Sequence, residues 1–351
     1  REAAFSTDIL AEFSDDAPAR EVSIAGRMMS RRVMGKASFV ELQDSKGRIQ
    51  VYVTRDDICP DENKDLYNVV FKKLLDIGDF IGVRGTVFRT QTGEISVHAR
   101  ELTLLSKSLK PLPIVKYKDG VAYDKFDDPE LRYRQRYVDL VVNDGVKDTF
   151  LQRATVIRTI RKVLDEAGYT EVETPTLQSI AGGASARPFI THFNALDQDM
   201  FMRIATELYL KRLIVGGFEG VYEIGKNFRN EGMDRNHNPE FTCMELYVQY
   251  KDYNWMMSFT EKLLETVCIA VNGSTEREID GNIVSFKAPY RRLPILDAIK
   301  EKTGFDCDGK SEEEIRAFCL EKGMDVDETM GKGKLIDELF GEFCEGTFIQ
   351  R

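Results

Sequence analysis

The chain has 351 residues, 42% of them apolar, and a formal net charge of −10. This length exceeds that of a single typical domain, and the apolar content excludes wholesale disorder. The acidic balance argues against a surface coated with nucleic-acid-binding cations, although it leaves room for a local basic patch.

Six cysteines are scattered along the sequence without a C-x-x-C pair. This spacing disfavours a zinc site and favours free thiols in a reducing cytoplasm. The first residues lack the basic-then-apolar pattern of a secretion signal. No stretch reaches the roughly eighteen apolar residues that a membrane helix needs. We therefore expect a soluble cytoplasmic protein.

A β-rich domain is predicted from Glu21 to about Lys107. Its first part alternates apolar and polar residues in three stretches, with a turn at Asp44-Ser-Lys-Gly47 before the third. Two further strands follow, joined by a turn at Gln91-Thr92-Gly93. With a helix between the third and fourth strands, this is the element order of a five-stranded OB-fold barrel, a fold that commonly binds oligonucleotides.

The predicted helix of this domain begins at residue 66, where five positions recur at helical spacing and four of them are apolar. Gly78 is the expected stop. The positions are Leu66, Val69, Val70, Lys73 and Leu74.

A local excess of positive charge lies in the first strands. Residues 26–55 contain seven arginines and lysines against two acids, inside an acidic chain. A basic strand face that includes Phe39 suits stacking of a nucleobase while arginines neutralise phosphates. The alternative is that Phe39 belongs to the core and the cations form a solvated face.

Residues 108–132 are predicted to be a linker, because they contain three prolines and no clear period. A capping box at Thr149 and Gln152 then predicts a helix start, and Gly168 predicts the end of that helix. The strand predicted next, within residues 169–177, is expected to stop at the proline it contains.

Further along, strand-like and helix-like runs alternate between residues 200 and 250. Near the end of the sequence, Ser311 and Glu314 form a second capping box that predicts another helix start.

The densest polar cluster is FRNEGMDRNHNPEFT at residues 228–242, between two strand-like segments. Ordinary hairpin tips are short, whereas this one is long and has charges of both signs. Arg229 offers a planar fork suited to phosphate, and His237 and Arg235 could reach more distal phosphates. The alternative is an exposed loop with an internal salt-bridge network.

Alternation along the return strand places four residues on one face and a more apolar set on the other. A carboxylate on such a face is seldom buried without a partner, which favours a binding site. The four residues are Phe241, Cys243, Glu245 and Tyr247.

These residues resemble motif 2 of the class II aminoacyl-tRNA synthetases, with FRNE and RNHNPEFT following YEIGKN. GYTEVETPTL is similar to motif 1. The phrases GGASARPFITHFNALD, RIATELYLKRLIVGGFEGVYEIGKNFRNEG and RYRQRYVDL resemble the lysyl-tRNA synthetases of bacterial type, and AGRMMSRRVMGKASFVELQD resembles their anticodon-binding domain. The similarity extends from about residue 20 to the end of the chain.

The resemblance implies an α+β multidomain fold. An OB-fold anticodon-binding domain is expected at 1–107, a linker at 108–132, and a class II catalytic domain at 133–351, with an antiparallel sheet flanked by helices. Motif 3 of the family, Gly-x-Gly-x-x-Arg, is not among these residues, and neither are the late acidic residues that hold Mg²⁺. The C-terminal part of the domain is thus expected to be absent, no metal ligand is assigned, and a molecule that lacks this part is expected to have no adenylation activity.

The resemblance also implies the site residues. The catalytic pair would be Arg229, on the α-phosphate of ATP, and Glu231, on the adenosine side. The remaining ATP-binding residues would be His237, Asn238 and Phe241, the last stacking on adenine. The residues that bind lysine would be Gly183 through its backbone, Glu207 at the α-ammonium, and Glu245 and Tyr247 at the ε-ammonium. The residues that bind the anticodon would be Phe39, Gln50 and Glu94.

The implied activity is the activation of L-lysine with ATP and its transfer to tRNA(Lys). ATP would be a substrate accompanied by Mg²⁺, and the partner copy would be a second identical chain joined through motif 1. Two other hypotheses remain. One is a tRNA- or oligonucleotide-binding module without catalysis, and the other is a ligase that modifies a protein lysine, although such relatives typically lack the OB domain.

Overall fold

The computed structural model describes residues 4–113, 116–118, 121–123, 125–234 and 236–348. The chain divides into two compact units, Arg1–Lys147 and Asp148–Arg351. The domain limits expected from the sequence, at residues 107 and 132, stay a prediction.

The first unit contains a closed five-stranded barrel. Its strands are β1 Glu21–Met34, β2 Ala37–Gln43, β3 Arg48–Thr54, β4 Phe80–Arg89 and β5 Ile95–Ser106. They follow the order β1-β2-β3-β5-β4, and only the β3–β5 pair is parallel. A helix lies between β3 and β4 in the sequence. The predicted OB-fold order is therefore confirmed.

The interior of the barrel is aliphatic because successive residues of a strand point to opposite faces. In β2, Val40 and Leu42 are buried inside the barrel, whereas Phe39 and Glu41 are half-buried on its outside. Phe39 thus lies outside the core cluster, on the outer face where a ligand can reach it.

The helix after β3 differs in type from the one predicted. It is a π-helix in which Tyr67 and Phe71 are the buried residues, whereas Val69 and Leu74 of the predicted stripe are 37% and 56% exposed. Because i→i+5 hydrogen bonds widen each turn, residues four apart share its inner face. Leu66 and Val70 of the predicted positions pack partly buried against the barrel core, so the prediction was wrong for Val69 and Leu74. The helical segments of this unit are α1 Ser6–Glu12, α2 Arg55–Ile58, the π-helix Leu66–Leu74, α3 Pro129–Arg134 and α4 Arg136–Val142.

A buried carboxylate, Asp139 of α4, joins the segments that follow the barrel. Its side chain is fully buried, accepts hydrogen bonds from Arg132 at 2.9 Å and Asn143 at 2.7 Å, and pairs with Arg136. Burial alone would raise the pKa of Asp139, but the hydrogen bonds from Asn143 and Arg132 and the two arginine charges hold that pKa below its ordinary value.

The segment predicted as a linker has some regular structure. It contains a short hairpin, β6 Lys116–Lys118 with β7 Val121–Tyr123, and the start of α3. Residues 114–115, 119–120 and 124 lie outside the described residues.

The second unit combines helices with three small sheets. Its helices are α5 Val146–Glu166, which begins just before the boundary between the units, α6 Glu207–Val215, α7 Tyr253–Asn272, α8 Ile295–Thr303, α9 Glu312–Glu321 and α10 Lys332–Phe343, and a 3₁₀ turn at Glu345–Thr347 follows them. Its strands are β8 Thr170–Glu171, β9 Leu177–Gln178, β10 Ile190–Phe193, β11 Gln198–Met202, β12 Gly220–Phe228, β13 Glu240–Val248, β14 Glu276–Ile279 and β15 Asn282–Ser285. The sheet orders are β10-β11-β9, β13-β12-β8 and β14-β15.

The hairpin β12–β13 is the predicted one, and it is antiparallel throughout. The strand predicted within residues 169–177 was largely wrong, because only β8 pairs with β12, in parallel. The chain leaves the sheet after the amide of Val172 donates to the carbonyl of Tyr222, and Pro175 has no amide to continue the ladder.

The start of α5 also differs from the prediction. The helix begins at Val146, directly after Gly145, whose φ of 78° lets the chain turn into it. Thr149 therefore lies inside the first turn and not at the cap. The second capping box is confirmed, since the Ser311 hydroxyl accepts from the Glu314 amide and the Glu314 carboxylate accepts from the Ser311 amide.

Helices α8, α9 and α10 share a separate apolar cluster that includes Cys307, Cys319 and Cys344. All six cysteines are free thiols. Within the described ranges, no helix combines the length and the apolar character needed to cross a membrane.

Candidate functional site

The register of β12 and β13 brings one face of the hairpin together. Directly opposed residues of an antiparallel pair share a face, so Glu223 faces Glu245, Gly225 faces Cys243, and Asn227 faces Phe241. This face therefore includes all four residues that alternation on β13 had predicted, as well as three from β12.

At one end of this face lies Arg229, whose amide donates to the carbonyl of Pro239 at 2.8 Å and so extends the ladder past β12. Its guanidinium carbon lies 5.1 Å from the centre of the Phe241 ring. The Nε atom is buried and has no hydrogen-bond partner in the described part of the chain. A buried donor without a partner is costly, which suits a site completed by an anionic ligand.

Glu231 links the hairpin loop to the glycine-rich segment before β10. Its carboxylate accepts from the amide of Arg187 at 3.3 Å, and the amide of Asn230 donates to the Arg187 carbonyl at 2.7 Å. The structure thus places Glu231 as a contact between two loops, beside Arg229.

His237 and Asn238 are exposed in the hairpin loop. His237 Nδ1 lies 2.8 Å from Asp234, and the Asn238 amide group donates to the carbonyl of Glu240. The hydrogen bond with His237, followed by those from the backbone of Asn236 and His237, lowers the pKa of Asp234. These two predicted residues contact the loop itself and not Arg229, and Arg235 lies outside the described residues.

At the other end of the face, Glu245 is half-buried between two hydrogen-bond donors. The Thr206 amide donates to one carboxylate oxygen at 3.2 Å, and the Tyr247 hydroxyl donates to the other at 3.0 Å. Burial first, and then the negative charge of Glu245, raises the pKa of Tyr247 well above its ordinary value. Tyr247 therefore stays a protonated donor.

Glu207 and Gly183 lie next to this carboxylate. Gly183 has a φ of 90°, and a Cβ there would lie 3.1 Å from the Cβ atoms of both Ala205 and Glu207. Only glycine fits this conformation without strain and this contact without displacement. Glu207 accepts from Lys211 at 2.5 Å. The structure thus brings together all four residues expected to bind lysine.

A buried ion pair between Arg203 and Glu223 supports the face, and sequence reasoning missed its arginine. Their side chains are 4% and 5% exposed, and the pair is 2.5 Å apart. A Cβ at Gly225 would lie 2.3 Å from Arg203 Nη2, so this glycine makes room for the guanidinium. The signal in the sequence was a single charge within FMRIA, since a charge inside an apolar run needs a buried partner.

Arg203 also bonds to two segments, β12 and the residues before β9, through its backbone and side chain. Its amide donates to Thr176, its carbonyl accepts from Phe228, and its Nε donates to the Lys226 carbonyl at 2.8 Å. The position of β12 relative to the end of β11 is therefore fixed by one residue.

The first unit has its own candidate interface on the outer face of the barrel. A cleft of about 480 Å³ includes all three residues expected to bind the anticodon. Arg32 lies over Phe39, with its guanidinium carbon 5.4 Å from the ring centre, and the Phe39 ring lies 5.1 Å from that of Tyr52. The lining residues are Ser30, Arg32, Phe39, Val40, Glu41, Arg48, Ile49, Gln50 and Glu94.

The described residues contain no group of three or more His, Cys, Asp or Glu side chains that could hold a metal ion.

Two family models match the chain. The model described as tRNA synthetases class II (D, K and N) matches residues 128–331, and that of the OB-fold nucleic acid binding domain matches residues 22–105.

Among curated proteins, the chain is 63% identical to a lysine–tRNA ligase of Porphyromonas gingivalis, over 99% of this chain and 60% of that protein. It is also 63% identical to the lysine–tRNA ligases of Azobacteroides pseudotrichonymphae and Christiangramia forsetii, over 99% and 94% of this chain and 69% and 58% of theirs. The chain thus spans about three fifths of the length of most of these relatives.

Proposed function

The chain belongs to the class II tRNA synthetases (D, K and N), and on this premise we propose that it contains the ATP and lysine sites of a lysine–tRNA ligase. The observation that carries the proposal is the hairpin face on which Arg229 and Phe241 lie at one end and Glu245 and Tyr247 at the other. One end suits a nucleotide and the other suits an ammonium group, as the joining of lysine to ATP requires.

At the nucleotide end, Arg229 binds the α-phosphate and Phe241 stacks on adenine. The unpartnered Nε of Arg229 supports this role, because a phosphate oxygen would satisfy it. Glu231 lies on the adenosine side and positions the loop that contains Arg187. His237 and Asn238, exposed in the loop, border the ATP pocket.

At the lysine end, Glu245 and Tyr247 bind the ε-ammonium, and Glu207 binds the α-ammonium beside the backbone of Gly183. Among the described residues, Glu245 has hydrogen bonds from an amide and a phenol but no ion pair with a cation. A half-buried carboxylate without a cation favours an ammonium ligand over the anionic or amide side chains of aspartate and asparagine.

The first step joins the two substrates without a protein nucleophile. An oxygen of the lysine carboxylate attacks the α-phosphorus, the bond from that phosphorus to the bridging oxygen breaks, and pyrophosphate leaves with the electron pair. Arg229 neutralises charge that develops on the α-phosphate, and the two ends of the face align the reacting groups.

In the second step a ribose hydroxyl of the 3′-terminal adenosine of tRNA(Lys) attacks the lysyl carbonyl, and AMP leaves as the hydroxyl proton is released. The barrel binds the anticodon through Phe39, Gln50 and Glu94. Mg²⁺ would accompany ATP through its phosphates, because this cation is usually bound through substrate phosphates with only one or two carboxylates. A homodimer through residues 149–180 and a cytoplasmic location complete the proposal.

The test is amino-acid-dependent exchange of pyrophosphate into ATP, run with all twenty amino acids on the protein that contains this chain. Exchange with lysine alone is the expected result. Exchange with aspartate or asparagine would overturn the lysine assignment, and no exchange with any amino acid would overturn the proposed activation step.

A further inference from the structure

Asn227 is a buried polar residue that the interactions described above leave unexplained. The residue is 2% exposed, and its carbonyl oxygen Oδ1 has no hydrogen-bond partner within the described residues. Most buried polar groups have a partner, and a buried amide oxygen without one destabilises the fold. Its presence at this position therefore requires a reason other than stability.

Its position in the hairpin indicates what the amide is for. Asn227 faces Phe241 directly across the strands, so their Cβ atoms lie about 4.5–5.5 Å apart. It also precedes Arg229 by two residues, so the two side chains point to the same face. Asn227 thus lies next to both the ring proposed to stack on adenine and the arginine proposed to bind the α-phosphate.

A nucleotide has its ribose between its base and its α-phosphate. If the base lies on Phe241 and the phosphate on Arg229, the ribose between them lies on the same face as Asn227, which is opposite the first residue and two positions from the second. The ribose presents two hydroxyls, and a hydroxyl donates to an amide oxygen and also accepts from an amide nitrogen.

We propose that Asn227 binds a hydroxyl of the ATP ribose. The inference rests on the proposed ATP site, and it adds to that site a contact that distinguishes ribonucleotides from deoxyribonucleotides. A ribose hydroxyl supplies the donor that Oδ1 does not find among the described residues.

The test measures equilibrium binding of ATP, 2′-deoxy-ATP and 3′-deoxy-ATP, in the absence of lysine, to the unmodified protein and to Asn227→Ala. We expect loss of one of the two hydroxyls to weaken binding to the unmodified protein by roughly twofold to tenfold, the range for one neutral hydrogen bond. Asn227→Ala should weaken ATP binding by a similar factor. The variant should bind the deoxynucleotide that lacks this hydroxyl no less tightly than it binds ATP.

Two results would overturn the proposal. One is unmodified protein that binds all three nucleotides equally, a comparison that needs no variant. The other is that ATP affinity of Asn227→Ala still falls by the full factor when the ribose hydroxyl is removed from the nucleotide. Absence of ATP binding to the unmodified protein would overturn both this inference and the proposed ATP site. If the protein binds ATP with the expected hydroxyl dependence but exchanges pyrophosphate with no amino acid, the inference stands and the proposed activity is overturned.

A stability measurement separates a binding role from a structural one. Asn227→Leu replaces a buried amide, whose oxygen has no partner among the described residues, with an apolar group of similar size, so the Tm of the ligand-free protein should rise while ATP affinity falls. The matched control is Gln178→Leu, because Gln178 is equally buried and its amide donates to the Pro175 carbonyl at 3.2 Å. That control should lower the Tm. A lower Tm for Asn227→Leu would mean that Asn227 holds the fold and not a ligand.

Discussion

Glu223 and Glu245 face each other directly across the β12–β13 hairpin, and their charges are balanced differently. Glu223 is paired with the guanidinium of Arg203 at 2.5 Å. Glu245 receives only an amide and a phenol hydrogen bond among the described residues. The cation that pairs with Glu223 is a side chain of the protein itself, whereas we expect the cation that pairs with Glu245 to be the ammonium group of the substrate.

Replacing Arg229 with Ala should lower lysine-dependent pyrophosphate exchange by about 100-fold to 1,000-fold, the usual effect of removing one donor to a developing charge. The fold should survive, because the guanidinium Nε has no hydrogen-bond partner among the described residues. Arg212→Ala is the matched control, since Arg212 also lies over an aromatic ring, that of Tyr209, at 4.8 Å. Near-normal exchange in Arg229→Ala with an unchanged Tm would remove Arg229 from the α-phosphate.

Glu245→Gln should raise the KM for lysine much more than the KM for ATP. The substitution keeps the size of the side chain but removes the charge that would pair with the ε-ammonium of lysine. Binding should weaken because burying an ammonium group without a counter-charge costs free energy. Glu240→Gln, at the exposed start of the same strand, should change neither constant. Steady-state exchange at varied lysine and ATP measures both, and equal rises in the two KM values would place the side-chain pocket elsewhere.

Phe39→Ala should weaken aminoacylation of tRNA while leaving lysine-dependent exchange unchanged, because the proposed role of the barrel is limited to the nucleic-acid contact. Loss of one stacked base corresponds to roughly 1–3 kcal/mol. Phe80→Ala is the control, since Phe80 is another exposed barrel aromatic with an arginine, Arg27, 4.2 Å above its ring. tRNA affinity should also fall steeply with salt. A loss of exchange in Phe39→Ala would contradict this division of roles.

Arg203→Met should lower the free energy of unfolding by about 3–5 kcal/mol, because it leaves the Glu223 carboxylate buried without a cation. The double variant Arg203→Met with Glu223→Leu should recover much of that loss, since apolar residues can replace a buried ion pair. Urea unfolding of the unmodified protein, of each single variant and of the double variant gives the comparison. A double variant as unstable as the sum of the single variants would show that the two residues act independently.

Asp139→Asn should lower the stability of the fold at neutral pH, and this loss should become smaller in acid. The pKa of Asp139 is lower in the folded chain than in the unfolded chain, so the charged form stabilises the fold. This contribution is complete above the unfolded pKa of about 3.9 and is lost as the pH falls through the folded pKa. The difference in Tm between the two proteins should therefore shrink below about pH 4. Asp144→Asn, at a 95% exposed side chain, should show little difference at any pH.

Local patterns predicted the barrel and the hairpin well, because alternation on β2 and β13 follows directly from strand geometry. The sequence could not show which residues of β12 face those of β13, since register is set by pairing between distant segments. Phe241 and Glu245 could thus be assigned to one face, whereas the position of Glu223 opposite Glu245 could not. The apolar face expected opposite them is only half-buried. Thr242 on that face is exposed, and its hydroxyl accepts a hydrogen bond from Arg153 of α5.

The other errors came from competition between local signals. Thr149 has the sequence of a cap, but Gly145 allows the helix to begin earlier, and the packing of Val146, which is 8% exposed, favours that start. Tyr67 and Phe71 are larger than Val69 and Leu74, and burying their rings in the barrel favours the wider π-helical turn over the predicted stripe.

The hairpin has a consequence for how specificity can change among related enzymes. Phe241 and Glu245 lie four residues apart on one strand, which corresponds to about 13 Å. The proposed nucleotide contact and the proposed side-chain contact thus occupy separate positions on the paired strands, and we expect a substitution at residue 245 to leave the geometry at residue 241 in place. A family that acts on acidic, basic and amide amino acids can therefore exchange one recognition residue at a time while it keeps a single adenylation chemistry.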